Sequence, residues 1–222
     1  MARIPRIEVV DCPHHVTQRG NRRLQTFYSD ADYLEYLRLL AEAKEKARVS
    51  VWAYCLMPNH VHFVVVPSEK GGLARLMQHP HRRYAWRINK RMNWQGHLWQ
   101  ARFYSCPMDE RHLIAAVRYV ELNPVRARLC EDPRDWRWSS VHAHLKGRND
   151  SLVDVSPMLE RAPDWDDFLA QSVPDSMIES IRTNSSSGRP AGNDAFVSVV
   201  ETHTGTRLRK RRPGRSPKQL GN

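Results

Sequence analysis

Two histidines placed two residues apart are the first side chains in this sequence that could bind a metal. His60 and His62 lie in a stretch whose residue types predict a β-strand. Side chains at positions i and i+2 leave a strand on the same side, so both imidazoles point one way while Val61, Phe63 and Val65 point into a core. Two neutral imidazoles on one face can chelate a divalent cation. The alternative is a pair of half-exposed histidines without a ligand, and chelation needs a third ligand from elsewhere in the chain.

A tyrosine and an asparagine further along the chain supply a second candidate group. Tyr119 and Asn123 lie four residues apart in a predicted helix, so they share one helical face. A free tyrosine hydroxyl, with a pKa of about 10, is a poor nucleophile. A nearby cation, or a metal polarising the phosphate under attack, would make it a covalent nucleophile. The alternatives are that Tyr119 packs with its hydroxyl at the surface and that Asn123 caps a short helix begun by Pro124.

The elements that must position these residues follow from apolar periodicity and turn signals. Apolar residues spaced three and four apart predict helices, and Pro58-Asn59 between two β-rich runs predicts a hairpin. Pro80 is expected to kink or split one helix. In chain order the sequence predicts a strand over 14–19, a helix over 30–48, strands over 51–57 and 61–66, a helix from Leu73 to Met92, a strand over 102–106 and a helix from Asp109 to about Leu122.

That order of elements predicts an α+β fold. Its first six elements match the ferredoxin-like split β-α-β sandwich, with a four-stranded antiparallel sheet and helices on one face. A C-terminal extension, helical or extended, follows this core. Three units are expected: a catalytic domain over 1–145, a helical extension or linker over 146–181, and a basic tail over 182–222 that is partly disordered and binds DNA.

The distribution of charge supports the separate tail. The chain has 35 Lys and Arg against 24 Asp and Glu, a net charge of +11, which favours a polyanionic partner. Residues 182–222 contain nine basic and two acidic residues, hence +7, which leaves +4 for the first 181 residues. The tail composition predicts a serine-rich linker and then a basic, extended arm. We therefore expect truncation after about residue 181 to weaken DNA binding.

Several classes of protein are unlike this sequence. No apolar run approaches the roughly 20 residues of a membrane helix, and the first residues lack the apolar core of a signal peptide. The four cysteines form no C-x-x-C pair, as expected for a reduced cytoplasm. No G-x-x-x-x-G-K-[ST] motif is present, so no nucleotide cofactor is expected. Two further groups of potential ligands, Cys12 to His15 and the pair His142 and His144, are interpreted as lacking metal, the second pair as surface residues.

The combined motifs resemble a known family of enzymes. The runs LMPNHVHFVV and RYVELNPVRA resemble the HUH single-strand transposases and, more narrowly, the REP-associated tyrosine transposases of bacteria. Pro80 and Ala101 depart from the family pattern, which concerns local geometry and not the candidate residues. The matching stretches are residues 56–65 and 118–127, supported by 15–23, 96–103 and 136–140, and the resemblance covers about residues 10–145.

This resemblance implies specific roles. His60 and His62 would be the metal-binding histidines, Asn123 the third ligand and Tyr119 the nucleophile. The implied reaction is cleavage and rejoining of single-stranded DNA beside palindromic hairpin repeats, through a 5′-phosphotyrosine intermediate. Mg²⁺ or Mn²⁺ would be the cofactor, and two imidazoles favour Mn²⁺ by ligand type. Because the intermediate preserves a phosphoester, rejoining requires no nucleoside triphosphate.

Arginines in and near these motifs are candidate DNA contacts. Guanidinium groups bind phosphate in a bidentate fork, although any one of them could be a solvated surface charge. The tail could hold the hairpin by its phosphates, or it could be a solubilising terminus. The candidates are Arg19, Arg22, Arg23, Arg102 and Arg126 in the catalytic domain and Arg209, Arg211 and Arg212 in the tail.

Two other functions fit the same sequence. A domesticated relative could bind structured DNA or RNA repeats without cutting them, and a metal-dependent hydrolase could use metal-bound water in place of Tyr119. A cytoplasmic, nucleoid-associated location is expected. The sequence leaves open whether the protein is a monomer or a homodimer, and whether His60 and His62 meet Tyr119 of the same chain.

Overall fold

A four-stranded antiparallel sheet organises the structure. The computed structural model describes residues 6–209, and its strands lie in the order β2-β3-β1-β4. With two crossover helices, this is the order of a split β-α-β sandwich, so the predicted α+β fold is confirmed. The strands are β1 (His14–Arg19), β2 (Val49–Met57), β3 (His60–Pro67) and β4 (Tyr104–Pro107).

Helices alternate with the strands and then continue alone to the C-terminal side. Three long helices belong to the sandwich: α1 (Asp30–Ala47), α2 (Gly72–Met92) and α3 (Glu110–Glu121). Six further helices follow, most of them short. They are α4 (Asn123–Arg126), α5 (Val141–Leu145), α6 (Ser156–Leu159), α7 (Trp165–Ala170), α8 (Asp175–Ser187) and α9 (Asp194–Thr204).

Helices cover both faces of the sheet, which corrects the expectation that they lie on one. Val61 and Phe63 of β3 pack into a core shared with α1 and α2. Val64, on the opposite side of the same strand, packs with Ala116 of α3 and Ile181 of α8. Because β3 carries buried apolar side chains on both sides, neither face of the sheet can be left in water.

The register of the strands places polar side chains on the α3 side. In the antiparallel pair β1 and β3, Thr17 is opposite His62 and Arg19 is opposite His60. Directly opposite residues leave a sheet on the same face, so β1 contributes His15, Thr17 and Arg19 to the face that carries both histidines. A shift of one residue would turn all of these side chains to the other face.

The prediction that Pro80 splits a helix is wrong. One helix runs from Gly72 to Met92 with Pro80 inside it. A proline removes one backbone hydrogen bond to the carbonyl four residues earlier. Leu76, Pro80, Tyr84 and Ile88 recur every four residues and are all buried, so apolar packing against the sheet and α1 offsets that loss.

The predicted boundary at residue 182 falls inside a helix. Helix α8 includes the serine-rich segment that the composition predicts as a linker, and it ends at Gly188, whose φ of 74° is the left-handed conformation that favours glycine. Ile178 and Ile181 bury this helix against the α3 side of the sheet. Tertiary packing of these two residues therefore overrides the weak helical propensity of the serines.

The segment after α8 folds back onto the beginning of the chain. Phe196 to Glu201, which the sequence leaves open as helix or strand, is helical. Val200 and Leu208 form a small apolar cluster with Ile7. Between residues 6 and 209, no helix has the length and apolar character that crossing a membrane requires.

Candidate active site

The structure brings His60, His62 and Tyr119 together within one chain. The ring centroids of His60 and His62 are 4.9 Å apart, and those of His62 and Tyr119 are 5.8 Å apart, with the rings nearly perpendicular. β3 supplies the histidines through its two-residue alternation, and α3 crosses the same face to supply the tyrosine. Sharing of the site between two chains is therefore not needed to assemble these three residues.

Asn123 faces the histidines and caps no helix. Helix α4 begins at this residue, and the preceding Leu122 provides no side-chain cap. The amide Nδ2 of Asn123 lies 3.4 Å from Nε2 of His62, with Asn123 only 8% exposed. The alternative role as an N-cap is thus excluded, and a turn of the amide by 180° would present its oxygen to the same space.

Hydrogen bonds engage the Nδ1 atom of each candidate ligand. Nδ1 of His60 lies 2.6 Å from Oδ1 of Asn59. The imidazole must donate in this bond because an amide oxygen only accepts, so Nε2 of neutral His60 keeps its lone pair. Nδ1 of His62 lies 2.9 Å from Nε2 of His15, whose own Nδ1 lies 2.6 Å from Oγ of Ser185.

The three-member chain from His62 to Ser185 has one direction that suits metal binding. If His62 donates from Nδ1 to His15, and His15 donates from Nδ1 to the Ser185 hydroxyl, then Nε2 of His62 is unprotonated. In the opposite direction Nε2 of His62 carries the proton and cannot be a ligand. Ligating histidines usually donate their second ring nitrogen to such a partner, so His15 and Ser185 can fix the tautomer of His62.

Burial keeps the three site histidines neutral at pH 7. Loss of hydration lowers the pKa of His60 to about 4, with the nearby charge of Arg19 as a second cause. Burial likewise lowers the pKa of His15 to about 4. The pKa of His62 lies well below its usual value because of burial, with His60, His15 and Arg19 as further causes. Neutral imidazoles are the form that binds a metal without first releasing a proton.

Two arginines flank the ring of Tyr119. The guanidinium carbon of Arg126 lies 4.9 Å from the ring centroid, and that of Arg182 lies 5.9 Å from it. Cations at this range interact favourably with an aromatic face and would also stabilise negative charge on the phenol oxygen or on a phosphate bound beside it. Arg126 comes from α4 and Arg182 from α8, so two separate parts of the chain supply these charges.

These residues surround one cavity of about 770 Å³. Arg19 and Arg23 line it on the β1 side, and Ile181 and Ser185 of α8 line it on the opposite side. The turn that brings Arg23 here depends on Gly20, because a Cβ at this position would lie 2.2 Å from the carbonyl oxygen of Leu24. The cavity therefore combines neutral imidazoles, a tyrosine and several cations, which suits a phosphate-containing substrate.

The predicted DNA-contact arginines fall in different places. Arg19 and Arg23 line the candidate active site, and Arg126 lies beside Tyr119. Arg22 is exposed in the 3-10 turn Asn21–Arg23, and Arg102 lines a separate cavity. Arg209 is exposed, with its Nε 3.9 Å from Oε2 of Glu201. Arg211 and Arg212 lie outside the described residues.

Sequence reasoning missed His15, Arg182 and Ser185 as site residues. His15 carried a detectable signal, because it begins a motif of the resemblance and alternates with Thr17 and Arg19. Arg182 and Ser185 carried none, since His15 and Ser185 are separated by 170 positions and the second of them lies in an apparent linker. Only the packing of α8 against β4 and α3 brings them to the cavity.

The interpretation of His144 as a surface residue is wrong. Its Nδ1 lies 2.7 Å from Oε1 of the buried Glu121, and its ring stacks on Trp165 with a centroid distance of 4.0 Å. Glu121 also accepts from the Trp165 indole at 2.8 Å. This network joins α3 to α5 and α7, so it belongs to the packing of the extension.

The candidate ligand set is compatible with a hard or borderline divalent cation. Within residues 6–209, no cluster of three His, Cys, Asp or Glu side chains could hold a metal. A site at His60 and His62 therefore needs the amide of Asn123 and oxygen ligands from water or substrate. That composition matches cations that retain several oxygen ligands, and the unprotonated Nε2 atoms and the nearby amide fit it.

Comparisons with known proteins agree with the sequence motifs. Residues 8–123 match the family described as transposase IS200 like. A solved REP-associated tyrosine transposase bound to a REP hairpin is 18% identical, with a TM-score of 0.58 over 70% of this chain and 94% of that one, so the fold is shared. A putative transposase from Deinococcus radiodurans R1 is 19% identical, with a TM-score of 0.37 over 58% of this chain and 92% of that one. No curated protein matches the chain.

Proposed function

The chain belongs to the IS200-like transposase family, and on that premise we propose that it is a metal-dependent strand transferase for single-stranded DNA. The observation that carries the proposal is the meeting of His60, His62 and Tyr119 in one cavity of one chain. A binding protein would not require this combination of neutral imidazoles and a tyrosine flanked by arginines.

His60, His62 and Asn123 would hold the cation. When bound, Mg²⁺ or Mn²⁺ would supply Lewis-acid polarisation of a phosphate oxygen. The chain's own contribution is to keep both imidazoles neutral by burial and to orient them through Asn59 and His15. Ser185 would complete this orientation, because its hydroxyl can accept the Nδ1 proton of His15.

Tyr119 would act as the nucleophile. Its hydroxyl oxygen would form a bond to phosphorus as the bond from phosphorus to the 3′-oxygen breaks, and the phenol proton would pass, directly or through water, to the leaving 3′-oxygen. The products are a 5′-phosphotyrosyl strand and a free 3′-hydroxyl, and attack by another 3′-hydroxyl would reverse the linkage. Arg126 and Arg182 would stabilise the charge that develops on the phenol oxygen and the phosphate.

The proposed substrate is a palindromic hairpin with a single-stranded flank. The likeness of fold to a REP-associated transposase bound to a REP hairpin supports this choice. Arg19 and Arg23 would contact phosphates of the unpaired flank in the cavity. We further propose that Arg209, Arg211 and Arg212 contact the hairpin, that one chain contains a complete site, and that the protein acts in the cytoplasm at the nucleoid.

Covalent trapping tests the proposal. Purified protein is mixed with a labelled single-stranded repeat and Mn²⁺, and the products are separated under denaturing conditions. A protein–DNA adduct is expected for the wild type and for the control Tyr28→Phe, which alters a tyrosine whose hydroxyl bonds only locally to Gln25. Tyr119→Phe should abolish the adduct.

Each other outcome rejects a distinct part of the proposal. An adduct that persists in Tyr119→Phe would reject Tyr119 as nucleophile. Cleavage without any adduct would support a hydrolase that uses metal-bound water. Tight, salt-sensitive binding without cleavage under either metal would support a non-catalytic protein that binds DNA or RNA repeats.

A further inference from the structure

One segment of the catalytic domain is strongly basic although the domain is nearly balanced. Residues 70–108 contain eight Lys and Arg and no Asp or Glu, so they carry +8, and the rest of the first 181 residues carries −4. The basic residues are Lys70, Arg75, Arg82, Arg83, Arg87, Lys90, Arg91 and Arg102. Most of them belong to helix α2, so the charge is concentrated on one element.

The outer face of α2 combines these charges with an exposed tryptophan. Arg82, Trp86 and Lys90 recur every four residues, and Arg83 and Arg87 form the adjacent row. All five are exposed, and Trp86 is 64% exposed. The ammonium of Lys90 lies 5.0 Å from the Trp86 ring centroid. We call these five residues the α2 outer face.

The charges of the α2 outer face are not neutralised by carboxylates. In the described part of the chain, the ion pairs include none of its four cations, whereas Arg91 on the same helix pairs with Asp32 at 2.6 Å. Glu35 feels the charges of Arg83 and Arg87 but is bonded to Arg38 at 2.8 Å. A row of unpaired cations is suited to the phosphates of a polyanion.

A cavity lined by cations and rings adjoins this face. It measures about 500 Å³, lies between α2 and residues 96–103, and is lined by Arg82, Arg102, His97, Trp99 and Phe103 among others. That volume falls within the range of about 300–1,000 Å³ that is typical of ligand pockets. Gln100, from the same segment, lines the active-site cavity. Residues 96–103 therefore separate the two cavities.

We propose that the α2 outer face and this cavity bind an unpaired stretch of DNA, which reaches the active site across residues 96–103. The identity of the nucleic acid rests on the proposed function. Proteins that bind single strands combine a cationic track for the backbone with aromatic rings on which bases stack. A duplex held only by its phosphates would use the cations, but it would leave the exposed Trp86 and the ring-lined cavity without a role.

Binding of fluorescent oligonucleotides, measured without metal in the full-length Tyr119→Phe protein, tests the proposal. Arg82→Gln/Arg87→Gln should weaken binding of an unpaired strand about tenfold and flatten the slope of log affinity against log salt by about 1.4, since each single-strand phosphate contact contributes about 0.7. Trp86→Ala should weaken binding at least about fivefold and leave the salt slope unchanged, because stacking carries no net charge.

A matched double variant controls for net charge. Lys146→Gln/Arg148→Gln removes two exposed cations at the end of α5, and its affinity and salt slope should equal those of the parent. If Arg82→Gln/Arg87→Gln behaves like this control, or weakens only a blunt duplex, the proposal is wrong. A preference for unpaired RNA over DNA would also contradict it.

The proposal and the proposed function fail separately. If the α2 variants lose binding while wild-type protein forms no covalent adduct, the binding surface stands and the strand-transferase assignment falls. If the wild type forms the adduct through Tyr119 while the α2 variants bind DNA normally, the assignment of the surface falls alone.

Discussion

The two sides of the sheet solve different physical problems. On the α3 side, His15, His60 and His62 are largely removed from water and neutral, and their positions are set by hydrogen bonds of 2.6 to 2.9 Å. On the α2 side, the cations are exposed and lack carboxylate partners within the described chain. Chemistry requires a few placed groups in a dry site, whereas attraction of a polyanion requires charges in solvent.

This contrast changes the interpretation of the net charge. A division of the chain at residue 181 gives +4 and +7, which suggests that the tail alone attracts DNA. A division by position on the fold separates a basic α2 surface from the rest of the domain, which carries −4. Both the tail and the α2 outer face are therefore expected to contribute to salt-sensitive binding.

The largest expected effect comes from removal of an imidazole on the α3 side. His62→Ala should reduce metal affinity and the covalent adduct by at least about a hundredfold, because a bound metal would lose one of two nitrogen ligands. Mn²⁺ binding can be followed by electron paramagnetic resonance. His97→Ala, which removes an exposed imidazole of the α2 side, should change neither quantity, and equal metal affinity in His62→Ala would contradict the contrast between the two sides.

Loss of the hydroxyl behind His15 should have a smaller effect on the same side. Ser185→Ala removes the group that fixes the direction of the hydrogen-bond chain to His62. Metal affinity should fall about tenfold, as for other partners of ligating histidines, and Ser185→Thr should restore most of it. Ser187→Ala on the same helix is the control. Unchanged Mn²⁺ affinity in Ser185→Ala would show that Ser185 only packs.

Neutralisation of the tail tests whether attraction is divided between two regions. Arg211→Gln/Arg212→Gln in the full chain should weaken binding of a hairpin about threefold and flatten its salt slope. Combined with Arg82→Gln/Arg87→Gln, the two losses should add, since charges at separate sites contribute independently. If the tail variant alone removes all salt dependence, the α2 outer face contributes nothing.

The smallest expected effect concerns a buried imidazole on the α2 side that has no catalytic role. Burial lowers the pKa of His81 to about 3, and its Nε2 lies 2.8 Å from the Tyr36 hydroxyl. Its ordinary value is 6.5, so between pH 6.5 and 3 the unfolded chain binds a proton that the folded chain excludes. The free energy of unfolding should therefore fall as pH drops through this window, by at most about 1.4 kcal/mol per pH unit from this group.

Chemical denaturation at several pH values measures this slope. His81→Asn should reduce the slope, and His97→Asn should leave it unchanged because that side chain is exposed. An identical slope in His81→Asn and the wild type would show that burial of His81 does not penalise its charged form.

The sequence predicted the sheet and half of the site for reasons that are local. Alternation in β3 predicted that His60 and His62 share a face, and helical spacing predicted the same for Tyr119 and Asn123. Arg182 and Ser185 were beyond such reasoning, because neither alternation nor helical spacing links α8 to β1. The covered second face of the sheet was missed for a related reason: it depends on Ile178 and Ile181, which lie far along the chain.

Local rules also failed where packing overrides propensity. Pro80 and the serines of α8 both read as helix breakers or linkers, yet buried neighbours hold each segment in a helix. His144 read as polar surface, but Glu121 and Trp165 give it a partner and a stacking ring in the interior. In each case the deciding contact is with a distant element.

The central claim is that one chain holds a complete site in which Tyr119 serves its own His60 and His62. Mixing two inactive proteins with labelled single-stranded DNA and Mn²⁺ tests it most directly: Tyr119→Phe, which keeps the histidines, and His60→Ala/His62→Ala, which keeps the tyrosine. The account predicts no more adduct in the mixture than in either protein alone. Recovery of the adduct in the mixture would show that the histidines of one chain serve the tyrosine of another, and would contradict it.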